Sequence, residues 1–150
     1  MNRKIAIPHD ARVLVGDGRK ALILRNQGDD VYPNLQVERT LENAENPATH
    51  VQGSDRPGRV FATGSRRSAV EETDRHEMSE ERFAKEIIEA LEQLCARDKP
   101  ASLVIVAPPR MLAQLRAGLP DSIKPLVTAE IDRDLTKAPV HEIEKHLTAG

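Results

Sequence analysis

Between Pro100 and Pro108 the chain runs Leu103-Val104-Ile105-Val106-Ala107, with no polar residue at any position. A strand with one wet face alternates apolar and polar side chains. An unbroken apolar run bounded by prolines predicts a central strand with helices packed on both of its faces. That run commits the chain to an α/β layered architecture.

The surrounding pattern supplies the layers. Phe83, Ala84, Ile87, Ile88, Leu91, Leu94 and Cys95 recur at helical spacing, flanked by Glu, Lys and Arg. They predict a helix opening near Asp74, with Glu77 completing a capping box, and closing at Asp98-Lys99-Pro100. A second helix is predicted from Pro109 to Gly118, burying Leu112 and Leu115. Thr136 and Pro139 open a third, with Val140, Ile143 and Leu147 on one side. Arg12 to Gly16 and Lys20 to Arg25 read as a β-hairpin through Asp17-Gly18, a pair that tolerates positive φ. Leu35 to Leu41 reads as an edge strand with Leu35, Val37 and Leu41 on one face, and Pro125 to Ile131 as the last strand. The order β-β-β-α-β-α-β-α, three strands in a meander followed by alternating helix and strand, predicts a ribonuclease H-like mixed sheet. The short spacers between the first strands exclude a simple doubly wound fold.

At 150 residues the chain is expected to form one domain, 1–150, and its 39% hydrophobic and 31% charged residues suit a globular fold. Aromatics are only 2%, leaving little for base-stacking surfaces. A formal charge of −2, from 22 basic and 24 acidic side chains, excludes a surface that is basic throughout. Cys95 is the only cysteine, and Met1 to Asp10 holds no apolar run of signal-peptide length. A cytoplasmic protein without a membrane span is expected.

Glu42 to Thr73 shows no sustained periodicity and contains Pro47, Gly53, Pro57, Gly58 and Gly64. It is predicted to be a long, irregular, mobile loop, of the kind that is usually functional or disordered. From Asp55 to Arg67 it carries Arg56, Arg59, Arg66 and Arg67 against one acid, a local charge of +3 in an acidic chain. Forked guanidinium groups grip phosphate or carboxylate, so these four arginines are the candidate RNA- or anion-binding residues. The alternative is a solvated loop kept soluble by its charge.

Catalytic patterns are missing. A two-metal nuclease needs clustered carboxylates, and the central strand offers none. Asp17 reads first as a turn residue, and Asp132 and Asp134 suit a solvated turn as well as they suit ligands. His141 and His146, five residues apart, fall on different helix faces. Cys95 sits on the apolar stripe, where core packing is the commoner role. The chain has no Gly-x-Ser-x-Gly elbow, Walker loop or dinucleotide fingerprint, and no metal or other cofactor is expected.

Several segments together resemble a known bacterial family, that of the protein required for attachment to host cells. They are Leu14-Val15-Gly16-Asp17-Gly18, Ser54-Asp55-Arg56-Pro57-Gly58-Arg59, Glu80-Glu81-Arg82-Phe83-Ala84, Val104 to Arg110, Leu115-Arg116 and Arg133-Asp134-Leu135-Thr136. Ala113 and Arg133 stand where the family often has Gly and Lys. That family is in turn similar to the central domain of archaeal and eukaryotic peptide-chain release factors. In those, the loop before the first long helix carries Gly-Gly-Gln. Here it reads Thr63-Gly64-Ser65-Arg66-Arg67, so the resemblance does not imply peptide release. It implies an arginine-bearing loop placed against ribosomal or transfer RNA.

The expectation is therefore a non-enzymatic, cytoplasmic binding module associated with RNA or the ribosome, influencing translation or stress response and only indirectly attachment. A protein-interaction regulator of attachment is the second reading, and a peptidyl-tRNA hydrolase or nuclease the third. No membrane partner and no sequence-specific recognition of DNA are expected.

Overall fold

The computed structural model describes residues 5–44 and 65–148, the side chains of 65–76 excepted. The unbroken apolar run forms β4 (Leu103–Ala107), every residue of which is buried. Before it come β1 (Arg12–Gly16), β2 (Lys20–Asn26), β3 (Leu35–Glu42) and α1 (Ser65–Asp98). After it come α2 (Pro109–Gly118), a 3-10 turn at Lys124–Leu126, β5 (Val127–Asp132) and α3 (Val140–Thr148). The five strands form one mixed sheet in the order β3-β2-β1-β4-β5. β1 pairs antiparallel with β2 and β2 with β3, while β4 runs parallel to both β1 and β5. As expected, β4 is interior and β3 is an edge.

Period-two alternation sends side chains of each buried strand into two cores. Leu14, Ile23, Leu103 and Ile105 meet Phe83, Ile87 and Leu91 of α1 and Leu112 and Leu115 of α2 on one face. Val13, Val15, Leu24, Val104 and Val106 meet Ile143 and Leu147 of α3, with Ile7, on the other. Full burial of a Leu- or Ile-sized side chain contributes about 2 kcal/mol, so the two cores make the sheet's interior its most stable part.

Three expectations need correction. The α1 helix begins at Ser65, not near Asp74, so 65–73 is helical and not irregular. Polar residues there gave no apolar stripe, but Ser, Arg, Ala and Glu tolerate a helix once a packed segment downstream has nucleated it. The rest of that predicted loop, 45–64, lies outside the described residues. Second, Leu35 and Leu41 do not share a face: Leu35 joins the α3 side and Leu41 the α1 side. Ile23 pairs with Arg39 and Leu24 with Val37, leaving Glu38 as the extra residue of a β-bulge that inverts the alternation. Third, Gly18 has no φ in the left-handed region; its lack of a side chain leaves room for Glu80.

The bulge has a buried counterpart. Arg12 has a fully buried side chain, and its Nε donates to Glu38 Oε2 at 3.0 Å. Its Nη1 donates to the Asp10 carbonyl and carboxylate at 2.7 and 3.1 Å, and its Nη2 to Asp98 Oδ2 at 2.9 Å. One guanidinium thus ties the N-terminal turn, the edge strand and the last residue of α1. Desolvation pushes the Arg12 pKa down, but the Glu38 hydrogen bond and the charges of Glu38 and Asp10 outweigh it and leave the pKa raised.

Candidate binding cleft

The chain leaves β1 toward one side of the sheet and β4 toward the other, so the neighbouring β1 and β4 define the topological switch point. In open α/β sheets a ligand crevice lies outside the carboxyl ends of such strands. A cleft of about 320 Å³ sits there.

Its floor is the β1–β2 turn. Asp17 N–H donates to the Lys20 carbonyl at 2.9 Å, and Asp17 Oδ1 accepts from the amides of Arg19 and Lys20 at 2.8 and 2.9 Å. The expected turn role of Asp17 is therefore filled by its side chain. Asn43, directly after β3, pins the turn from the other side: its Nδ2 donates to the Gly18 carbonyl at 3.0 Å and to Ser79 Oγ of α1 at 2.9 Å. A Cβ on Gly18 would have to push Glu80 aside.

The far wall is the segment after β5. Thr136 is buried, and its hydroxyl lies 2.9 Å from Asp17 Oδ2 and 2.8 Å from Asp134 Oδ1. One hydroxyl proton is thus shared between two carboxylates. Asp134 Oδ1 also accepts the Thr136 amide at 3.2 Å, which makes it a turn residue like Asp17. Glu80 faces Arg110, at 3.8 Å, beside the uncapped N-terminus of α2.

The acids of the cleft are thus committed to protein partners, whereas Arg19, Lys20 and Lys137, which also line it, have no carboxylate partner among the described residues. Elsewhere Arg12, Arg25, Arg97 and Arg116 are ion-paired. Arg19 and Lys20 thus stand on a turn held by five hydrogen bonds, with Lys137 across the cleft from them.

Of the four arginines singled out by sequence, Arg66 and Arg67 fall in the first turn of α1, while Arg56 and Arg59 lie outside the described residues. Sequence reasoning passed over Arg19, Lys20, Thr136 and Lys137. The adjacent cations right after Asp17-Gly18, at a strand's carboxyl end, were the available signal. His141 and His146 are exposed, as expected. Cys95 is half-buried against the α1-side core, and desolvation raises its thiol pKa, which disfavours the nucleophilic thiolate. Among the described residues no three His, Cys, Asp or Glu side chains converge to hold a metal, and no helix is long and apolar enough to cross a membrane.

Fold and cleft together define a mixed α/β protein with a charged crevice at its switch point, lined by Arg19, Lys20 and Lys137 and by Asp17, Glu80 and Asp134. The chain belongs to the family described as protein required for attachment to host cells, whose model matches residues 12–147. No curated protein matches it.

Proposed function

We propose that the chain is a non-enzymatic module that binds RNA phosphate, most simply on the ribosome, and that it acts in the cytoplasm. Its part in attachment to host cells, which the family description suggests, is then indirect. The observation that carries this reading is the set of unpaired cations Arg19, Lys20 and Lys137 in the switch-point cleft. The helix that Arg66 and Arg67 open passes the same cleft. Ser79 of α1 contacts Asn43 there, and α1 begins 14 residues earlier, at Ser65. At 1.5 Å per residue, Arg66 and Arg67 start a helix that runs about 20 Å past the turn. The strand order β3-β2-β1-β4-β5 supports a ribonuclease H-like reading of the sheet, and with it the kinship to release-factor central domains.

The test is co-sedimentation with ribosomes, together with filter binding to a non-specific RNA, across a salt series. Wild type is expected to bind with a steep salt dependence. Arg66→Ala with Arg67→Ala, and separately Lys20→Ala with Lys137→Ala, should each lower the log–log salt slope by about two units without changing the fold. Absence of salt-sensitive association at low ionic strength would sink the proposal.

A further inference from the structure

The segment between β2 and β3 is held far more firmly than its position at the end of a hairpin requires. Asn26, fully buried, donates through Nδ2 to the Ile7 carbonyl at 2.6 Å and accepts at Oδ1 from the amides of Gly28 and Asn34, each at 2.9 Å. Asp29 Oδ1 accepts from the amides of Val31 and Tyr32 at 2.9 and 2.7 Å, and Asp29 N–H returns to the Tyr32 carbonyl at 3.1 Å. Gly28 is packed so closely on the backbone of Tyr32 and Asn34 that no Cβ fits. Asp30 accepts the amide of Ile7 at 3.2 Å and ties the segment to the stretch before β1.

What this scaffold holds up is apolar and unburied. Val31 is 67% exposed and Tyr32, the chain's only tyrosine, is 78% exposed. Asp29 and Asp30 directly precede them, and neither carries a cation partner among the described residues. An exposed aromatic on a pre-organised backbone is the side chain type that anchors protein interfaces, because little backbone entropy is left to lose. Asp29 and Asp30 each use only Oδ1 on backbone amides, and among the described residues Oδ2 of each has no hydrogen-bond partner. Carboxylates so placed repel phosphate and attract guanidinium and ammonium groups, whose aliphatic stems pack on an aromatic ring and whose charge faces its π-cloud.

We infer that the Asp29–Tyr32 segment is a docking site for a basic, arginine- or lysine-bearing segment of a partner protein. It lies at the opposite end of the sheet from the cation-lined cleft, so the two sites can be occupied together. The sole tyrosine, in a chain without tryptophan, makes its fluorescence a direct reporter of this site.

The full chain is titrated with a short peptide alternating arginine and leucine, followed by tyrosine fluorescence and by calorimetry. A saturable fluorescence change is expected. Tyr32→Ala and Val31→Ser, both at exposed positions that leave the scaffold intact, should each weaken calorimetric binding by about tenfold, the size of one anchor residue. The same peptide with citrulline in place of arginine should not bind, and Lys20→Ala with Lys137→Ala should bind normally. Equal affinity of Tyr32→Ala and wild type, or equal affinity for the citrulline peptide, overturns the inference. So does a sedimentation shift showing that Tyr32 instead mediates contact between copies of this chain.

Discussion

The two ends of the sheet use the same charged residue types to opposite effect. At the amino end of β1, Arg12 is wholly buried and saturated by Asp10, Glu38 and Asp98. At the carboxyl end, Asp17, Glu80 and Asp134 satisfy amides, a hydroxyl and Arg110, and Arg19, Lys20 and Lys137 beside them have no carboxylate partner among the described residues. A cation whose carboxylates all point at it fixes structure. One whose neighbouring carboxylates are already engaged keeps its charge for a ligand. Sign alone does not separate the two roles; the direction of the acids' hydrogen bonds does.

Breaking the amino end should have the largest effect. Arg12→Ala leaves three carboxylates facing a cavity and is expected to cost about 3 kcal/mol of stability by urea denaturation. At temperatures where the variant stays folded, its RNA affinity should equal that of wild type. A loss of affinity there would mean that the two ends are coupled. The converse variant, Lys20→Ala with Lys137→Ala, should leave the denaturation midpoint unchanged while weakening RNA binding at low salt. A destabilised double variant would make these lysines structural. Between the two, Thr136→Val removes the proton shared by Asp17 and Asp134. About 1 kcal/mol of stability should be lost, measured by the same denaturation.

The smallest expected effect is on pH dependence. Asp98 has its carboxyl pKa lowered, first by the Arg97 hydrogen bond and then by the charge of Arg97 and the Arg12 contact, against an opposing desolvation. A depressed carboxyl contributes stability above its unfolded pKa, near 4, and loses it as pH falls through the lower folded value. Wild type should therefore lose stability between about pH 4 and pH 2 more steeply than Asp98→Asn, as read from thermal midpoints. Parallel curves would show that Asp98 adds nothing to acid sensitivity.

Much of the fold was legible because it rests on local periodicity. β4, the α2 span and the packed half of α1 are runs in which every apolar residue obeys one period, and each was read with its bounds or core face correct. The failures arise where a period is interrupted or missing. One extra residue at Glu38 reverses the faces of β3, and alternation counted across it puts Leu41 on the wrong side. The first turns of α1 carry no apolar stripe, so their helicity depends on continuation from Phe83 onward. The cleft was less legible still. Asp17 and Thr136 are 119 positions apart, and only the parallel return through β4 and β5 brings them together. The four arginines were found by local charge, which needs no fold. Lys20 and Lys137 could be recognised as unpaired only once the partners of their neighbouring acids were known.

The bulge at Glu38 also bears on how this chain behaves in a crowd. An eight-residue edge strand with open amides and carbonyls is a template on which another molecule's strand can add, the first step toward a fibril. Here the template is interrupted. Glu38 is turned inward to Arg12, breaking the even spacing of donors along β3, and the amide of Leu35 at its start is taken by Glu144 of α3 at 2.7 Å. A passing strand would find register on either side of the kink but not across it. The interaction that locks α1 to the sheet thereby also interrupts the pairing template along β3.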